Sequence, residues 1–89
     1  MRGFRKINTV RGTYFVVWRP KDVSSLIESE RLSPAELFPG NDSRRHHFIR
    51  ELYLLACKAS VNAMSDKTAS DHRILSRYAR ILHDYYRNK

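Results

Sequence analysis

Cations are the residues of this chain with the most scope for chemistry. Arg73, Arg77, Arg80 and Arg87 follow one another at intervals of four, three and seven residues. At about 100° per residue those intervals put all four side chains on one face of a helix. A guanidinium group is a planar, permanently charged fork that matches phosphate or carboxylate, so a solvated row of four can follow a polyanion. Lys67 and Lys89 extend the row, and Ser76 and Asn88 add small polar groups suited to phosphate or base-edge contacts. A second basic set, Arg2, Arg5, Lys6 and Arg11, interleaves with Phe4 at the N-terminus, as in flexible arms that bind nucleic acid. If that stretch is a hairpin it is also a β-ribbon, an element that can enter a major groove. The third set, Arg44-Arg45-His46-His47, opens a helix, where positive side chains oppose the macrodipole unless an anion sits on the exposed amides.

Catalytic and metal chemistry have little to draw on. His46 and His47 are neighbours, and on a helix they diverge by about 100°, so they do not share a metal. His72 and His83 are separated by about 16 Å of helical rise. The single cysteine, Cys57, excludes an intramolecular disulfide; flanked by apolar helix positions, it is expected to be a small core hydrophobe rather than a nucleophile. The three glycines are scattered, so no phosphate loop is present, and Glu28, Glu30 and Glu36 show no spacing typical of acid and base partners. The chain is therefore not expected to be an enzyme or to carry a metal or cofactor.

The cations must be displayed by a small body. With 89 residues, 42% hydrophobic and 29% charged, the chain is expected to form one globular domain over 1–89, of a size that a partner subunit would help to stabilise. The net charge of +8 is distributed as +6 over 1–21, −4 over 22–43 and +6 over 44–89, with arginine exceeding lysine. No apolar run is long enough to span a bilayer, and MRGFRKINTV has no apolar block of the signal-peptide kind. A cytoplasmic (intracellular) protein without a membrane partner is expected.

The pattern of residues predicts an α+β fold in which an N-terminal β-hairpin, about 4–19, packs on a mainly helical body with segments near 22–31, 34–38, 44–64 and 69–87. TYFVVW is the densest β-branched and aromatic run. Tyr14, Val16 and Trp18 point one way along it, and Phe15 and Val17 the other. Because both faces are apolar and a lone hairpin is marginal in water, a homodimer is expected. Val23, Leu26 and Ile27 give the first helix an inner face, with Asp22 as its N-cap. Ser33-Pro34-Ala35-Glu36 combines a capping serine, a first-turn proline and a glutamate at the third position. Leu37 and Phe38 are expected in the core before the loop Pro39-Gly40-Asn41-Asp42, and Asp42 or Ser43 is expected to cap the next helix.

That next helix contains the longest apolar-periodic run, Phe48 to Met64. Phe48, Leu52, Leu55, Ala56, Ala59 and Ala63 share a face, with Ile49, Tyr53, Cys57 and Met64 beside it. So wide an apolar arc predicts an organising helix flanked on several sides. Ser65 to Thr68 breaks the pattern, and the final helix carries Ile74, Leu75, Tyr78, Ile81, Leu82, Tyr85 and Tyr86 on one arc, opposite its arginines. The functional expectation is a small basic regulatory protein that binds nucleic acid, DNA before RNA, through Arg73, Arg77, Arg80, Arg87, Arg2, Arg5, Lys6, Arg11, Arg44 and Arg45. The alternative is an inhibitor or adaptor whose basic face docks on an acidic protein.

Overall fold

The computed structural model describes residues 3–61 and 66–88, and side chains in the second segment from residue 69 onward. Arg2, Asn62, Ala63, Met64, Ser65 and Lys89, and the side chains of Lys67 and Thr68, lie outside the described residues. The fold is α+β, a two-stranded antiparallel hairpin followed by helices. No helix among the described residues is long and apolar enough to cross a membrane.

Strands β1 (Phe4–Thr9) and β2 (Gly12–Val17) pair in the register Phe4 with Val17, Ile7 with Tyr14 and Thr9 with Gly12. The turn closes on Thr9, whose hydroxyl accepts from the Arg11 amide at 3.1 Å and donates to the Gly12 carbonyl at 2.9 Å. Gly12 adopts φ 130°, a conformation closed to most side chains. Strand alternation sends Ile7 and Val16 into the core, with Tyr14 and Trp18 packed against it, and leaves Phe15 65% exposed on the other face.

Helix α1 (Pro20–Glu30) starts two residues earlier than its hydrophobic pattern indicates. Proline suits the first helical position because it needs no amide hydrogen there. Arg19 is consequently the N-cap, and Asp22 lies in the first turn, where it accepts from Arg19 Nε at 2.7 Å rather than capping. The helix ends at Arg31, held left-handed at φ 47°, so that Leu32 turns back into the core. Ser33 then caps a single 3₁₀ turn, Pro34–Glu36, accepting from the Ala35 amide at 3.3 Å.

Beyond the 3₁₀ turn the chain runs extended beside β1. Val10 N–H donates to the Glu36 carbonyl at 2.9 Å, and Phe38 N–H to the Asn8 carbonyl at 3.0 Å. Extended geometry points successive side chains to opposite sides. Leu37 is therefore buried, whereas Phe38, expected in the core, is 59% exposed. Helix α2 (Asp42–Val61) follows, capped by Asn41, whose Oδ1 accepts from the Arg44 amide at 3.0 Å, and not by Asp42 or Ser43. Helix α3 (Asp66–Arg87) begins three residues before the expected Ala69.

Helix α3 packs on α2, on α1 and on the 3₁₀ turn, and α2 meets α3, α1 and, through Phe48 and Glu51, the hairpin. Leu75, Ala79 and Leu82 are fully buried along it. Helix α2 buries one stripe, Ile49, Leu52, Leu55, Ala56 and Ala59, and leaves Tyr53, Leu54, Cys57 and Val61 in solvent. Its apolar residues outnumber the positions its neighbours can cover, and Cys57 falls on the uncovered side. Ile81, expected on the inner arc of α3, is 42% exposed at its margin. The small buried residues Ala56, Ala59 and Ala79 permit close approach of the two helices. Polar ties reinforce the seams: Ser24 Oγ donates to Asp71 Oδ1 at 2.6 Å between α1 and α3, and His72 Nδ1 lies 2.7 Å from the Ala56 carbonyl between α3 and α2. A carbonyl only accepts, so the Nδ1–H of His72 is the donor.

This packing sets different values on similar residues. Leu82→Ala, which empties a fully buried position, is expected to cost about 2–5 kcal/mol in urea unfolding. Leu54→Ala, at a leucine that is 58% exposed, should change stability by no more than about 0.5 kcal/mol.

Candidate functional site

The burial of Leu75, Tyr78, Ala79 and Leu82 fixes the rotation of α3 about its axis. Arg73, Arg77, Arg80 and Arg87 are thereby turned to solvent on the opposite side. Fourteen residues separate the first from the last, a span of about 21 Å at 1.5 Å per residue. Among the described residues no carboxylate lies within ion-pair distance of any of the four. Asp84, which shares their face, is 3.6 Å from His83 Nδ1 instead. Ser76 is partly buried and Asn88 exposed at the borders of the row.

The N-terminal bases are placed differently. Arg5 faces inward from β1 and binds the Glu51 carboxylate on α2 through both terminal nitrogens, Nη2 lying 2.7 Å from Oε1. Its guanidinium also covers the Trp18 ring, 4.4 Å from the centroid, which adds cation–π attraction. Partial burial lowers the Arg5 pKa from its ordinary value. His47 Nε2 reaches the same Glu51 oxygen at 2.9 Å. With the Trp18 and Phe48 rings packed at a tilt, their centroids 6.0 Å apart, this group clamps the hairpin to α2. Arg11 is held likewise, with Nε 2.7 Å from Glu36 Oε2 and Nη2 donating to the Glu30 carbonyl at 2.6 Å. Of the expected basic arm, then, Lys6 is exposed without a partner among the described residues, whereas Arg5 and Arg11 are engaged within the fold. The sequence offered no signal for Glu51 or Trp18 in these roles, because the partners are far apart along the chain.

The start of α2 divides its cations as well. Arg45 Nη1 lies 3.1 Å from Asp42 Oδ1, and its guanidinium stands 5.1 Å from the Tyr86 ring centroid. Arg44 is exposed, as are His46, His47 and Arg50. The amide end expected to attract an anion already has Asn41 as its cap and Asp42 in its first turn. Among the described residues no three histidine, cysteine or acidic side chains are grouped as a metal site would require.

Behind the arginine row lies a buried polar group. The Tyr78 and Tyr86 hydroxyls, Glu36 Oε2 and Arg45 Nε are buried without a hydrogen-bond partner among the described residues. Glu36 Oε2 keeps its ion pair with Arg11, so that carboxylate is neutralised though not aligned for a hydrogen bond. Burial, and then the nearby Tyr86 and Glu36, push the Tyr78 pKa well above its ordinary value. Burial does the same to Tyr86, against the pull of Arg45.

Two measurements follow from these placements. Arg5→Ala should lower stability by about 1–2 kcal/mol in urea unfolding, between the costs of losing an exposed and a buried ion pair. Arg5→Lys should recover little of it, because an ammonium neither binds bidentately nor stacks as well. The second concerns pH. Tyr78 keeps its proton in the folded state after the unfolded chain has lost it, so stability should fall as pH rises past the ordinary tyrosine value of 10.0. Tyr78→Phe should flatten that fall, as read from unfolding curves on either side of it. Compared with known proteins, the chain matches no family model, no curated protein and no solved structure.

Proposed function

We propose that this protein is a small regulatory protein that binds duplex DNA along the outer face of α3. One observation carries the reading: Arg5, Arg11, Arg19 and Arg45 each pair with a carboxylate, whereas Arg73, Arg77, Arg80 and Arg87 are exposed on one helix face with no such partner among the described residues. The fold consumes some of its cations and leaves a continuous row for something outside it. Phosphates recur about every 3.4 Å along each DNA strand, so a row of about 21 Å runs past about six of them. A single helix also has the width to enter a major groove of about 12 Å. The net charge of +8 favours encounter with any polyanion.

A homodimer and a cytoplasmic location belong to the same proposal. Phe4 and Phe15 are exposed on the outer face of the hairpin, and a second copy covering them would present two arginine rows to one duplex. A protein that acts on DNA and carries a single free thiol at Cys57 suits a reducing compartment.

The test is a fluorescence anisotropy titration of a short DNA duplex across a salt series. Four phosphate contacts should give a log–log slope of roughly −3 to −4. Changing Arg73, Arg77 and Arg80 to Glu should abolish binding with helicity unchanged. A control of equal charge, with Lys21, Arg50 and Lys58 changed to Glu, should retain most of it. Equal losses in both variants, or a stoichiometric acidic protein partner with no affinity for DNA, would overturn the proposal, the latter in favour of an inhibitor or adaptor.

A further inference from the structure

The hairpin has one edge that is only half used. Gly3, through its carbonyl, bonds to the Trp18 amide, and alternation along an antiparallel ladder then directs the backbone groups of Arg5, Ile7 and Thr9 towards β2. Those of Phe4, Lys6, Asn8 and Val10 point away. The outward carbonyl of Asn8 and the outward amide of Val10 are bonded by the Glu36 to Phe38 segment. That segment then stops, because Pro39 has no amide hydrogen and Gly40, at φ 88°, turns the chain towards α2. Among the described residues no backbone bond reaches the outward groups of Phe4 and Lys6. The molecule thus demonstrates, over two hydrogen bonds, that this edge accepts a strand, and leaves the next positions open.

Beside the open positions lies a groove of about 350 Å³ between β1 and the first turns of α2, within the size range of ligand pockets. Ile7, Leu37 and Phe48 supply apolar lining, and Lys6 and Arg44 supply positive charge. Among the described residues no carboxylate pairs with Lys6 or Arg44, and Glu51 is already held by Arg5 and His47.

We propose that the outer edge of β1 from Phe4 to Lys6 receives an acidic extended peptide as an added strand, with an apolar side chain of that peptide seated in the groove. The edge supplies a backbone ladder, the groove selects an apolar residue, and Lys6 and Arg44 attract the carboxylates. Charge distinguishes this occupant from a second copy. Antiparallel pairing of two β1 edges centred on Lys6 sets lysine against lysine, which is destabilising, and an inward or edge lysine is a common device against self-pairing. The alternation of donor and acceptor along the edge matches a peptide backbone, whereas phosphates answer only the donors. This surface is separate from the arginine row on α3, so it stands or falls apart from DNA binding.

The full chain, labelled for NMR, would be titrated with the heptapeptide Glu-Val-Glu-Phe-Glu-Val-Glu, with its lysine counterpart and with a short oligothymidylate. Saturable binding of the acidic peptide is expected, with hydrogen exchange slowed at the Phe4 and Lys6 amides. Of two peptides N-methylated on alternate sets of amides, one should bind and the other fail, because only one set faces β1. Lys6→Glu, at an exposed position, should weaken binding by roughly tenfold, while Glu at positions 73, 77 and 80 should leave it unchanged. Equal binding of both methylated peptides, equal binding of the lysine peptide, loss of binding in the α3 variant, displacement of the peptide from the groove by oligothymidylate, or no saturable binding would each overturn the proposal.

Discussion

The burial of one side of α3 is the constraint on which the rest of this structure depends. Leu75, Ala79 and Leu82 have no exposed surface, and the helix that carries them meets α1, α2 and the 3₁₀ turn. Fully burying a leucine is worth about 1.5–3 kcal/mol, a large fraction of the margin available to a domain of this size. A helix held so firmly on one side has no freedom to rotate, and the direction of its other side follows. The arginine row is exposed because the leucine row is not.

Electrostatics in this molecule serves two purposes, and geometry separates them. Arg5 ties the hairpin to α2 through Glu51 and Trp18, and Arg11 ties the hairpin turn to the end of α1 and the 3₁₀ turn. The guanidinium groups of α3, unpaired among the described residues, bring no such benefit to the folded chain, and like charges spaced three and four residues apart on a helix repel slightly. In the proposed function, an external polyanion would relieve that repulsion.

The hairpin shows how a small sheet handles its own incompleteness. Helices cover the inner face, the extended Glu36 to Phe38 segment covers part of one edge, and exposed aromatic residues remain on the outer face. The positive groove and the unpaired edge lie at the point where coverage ends, next to the junction of the hairpin with α2. This junction and the arginine face are therefore distinct surfaces, one built from backbone and apolar lining, the other from side-chain charge alone.

By itself, the sequence determined the α+β order of elements, the hairpin about Gly12, the serine-capped turn at Pro34 and the solvent face of α3. Each is written in local periodicity or turn chemistry, which depends on residues a few positions apart. Only the tertiary structure decided which apolar positions of α2 are covered. Apolar content made the run from Phe48 to Met64 look buried nearly all round, but burial depends on which positions the neighbours cover, and those of α2 cover one stripe, leaving Leu54, Cys57 and Val61 outside. It also decided which cations are engaged. Arg5 and Glu51 are 46 positions apart, and no local pattern announces such a pair, so a basic N-terminal arm in the sequence becomes a clamp in the fold. Phe38 and Leu37 differ for the same reason: the edge of β1, distant in sequence, holds their segment extended and turns one of them out.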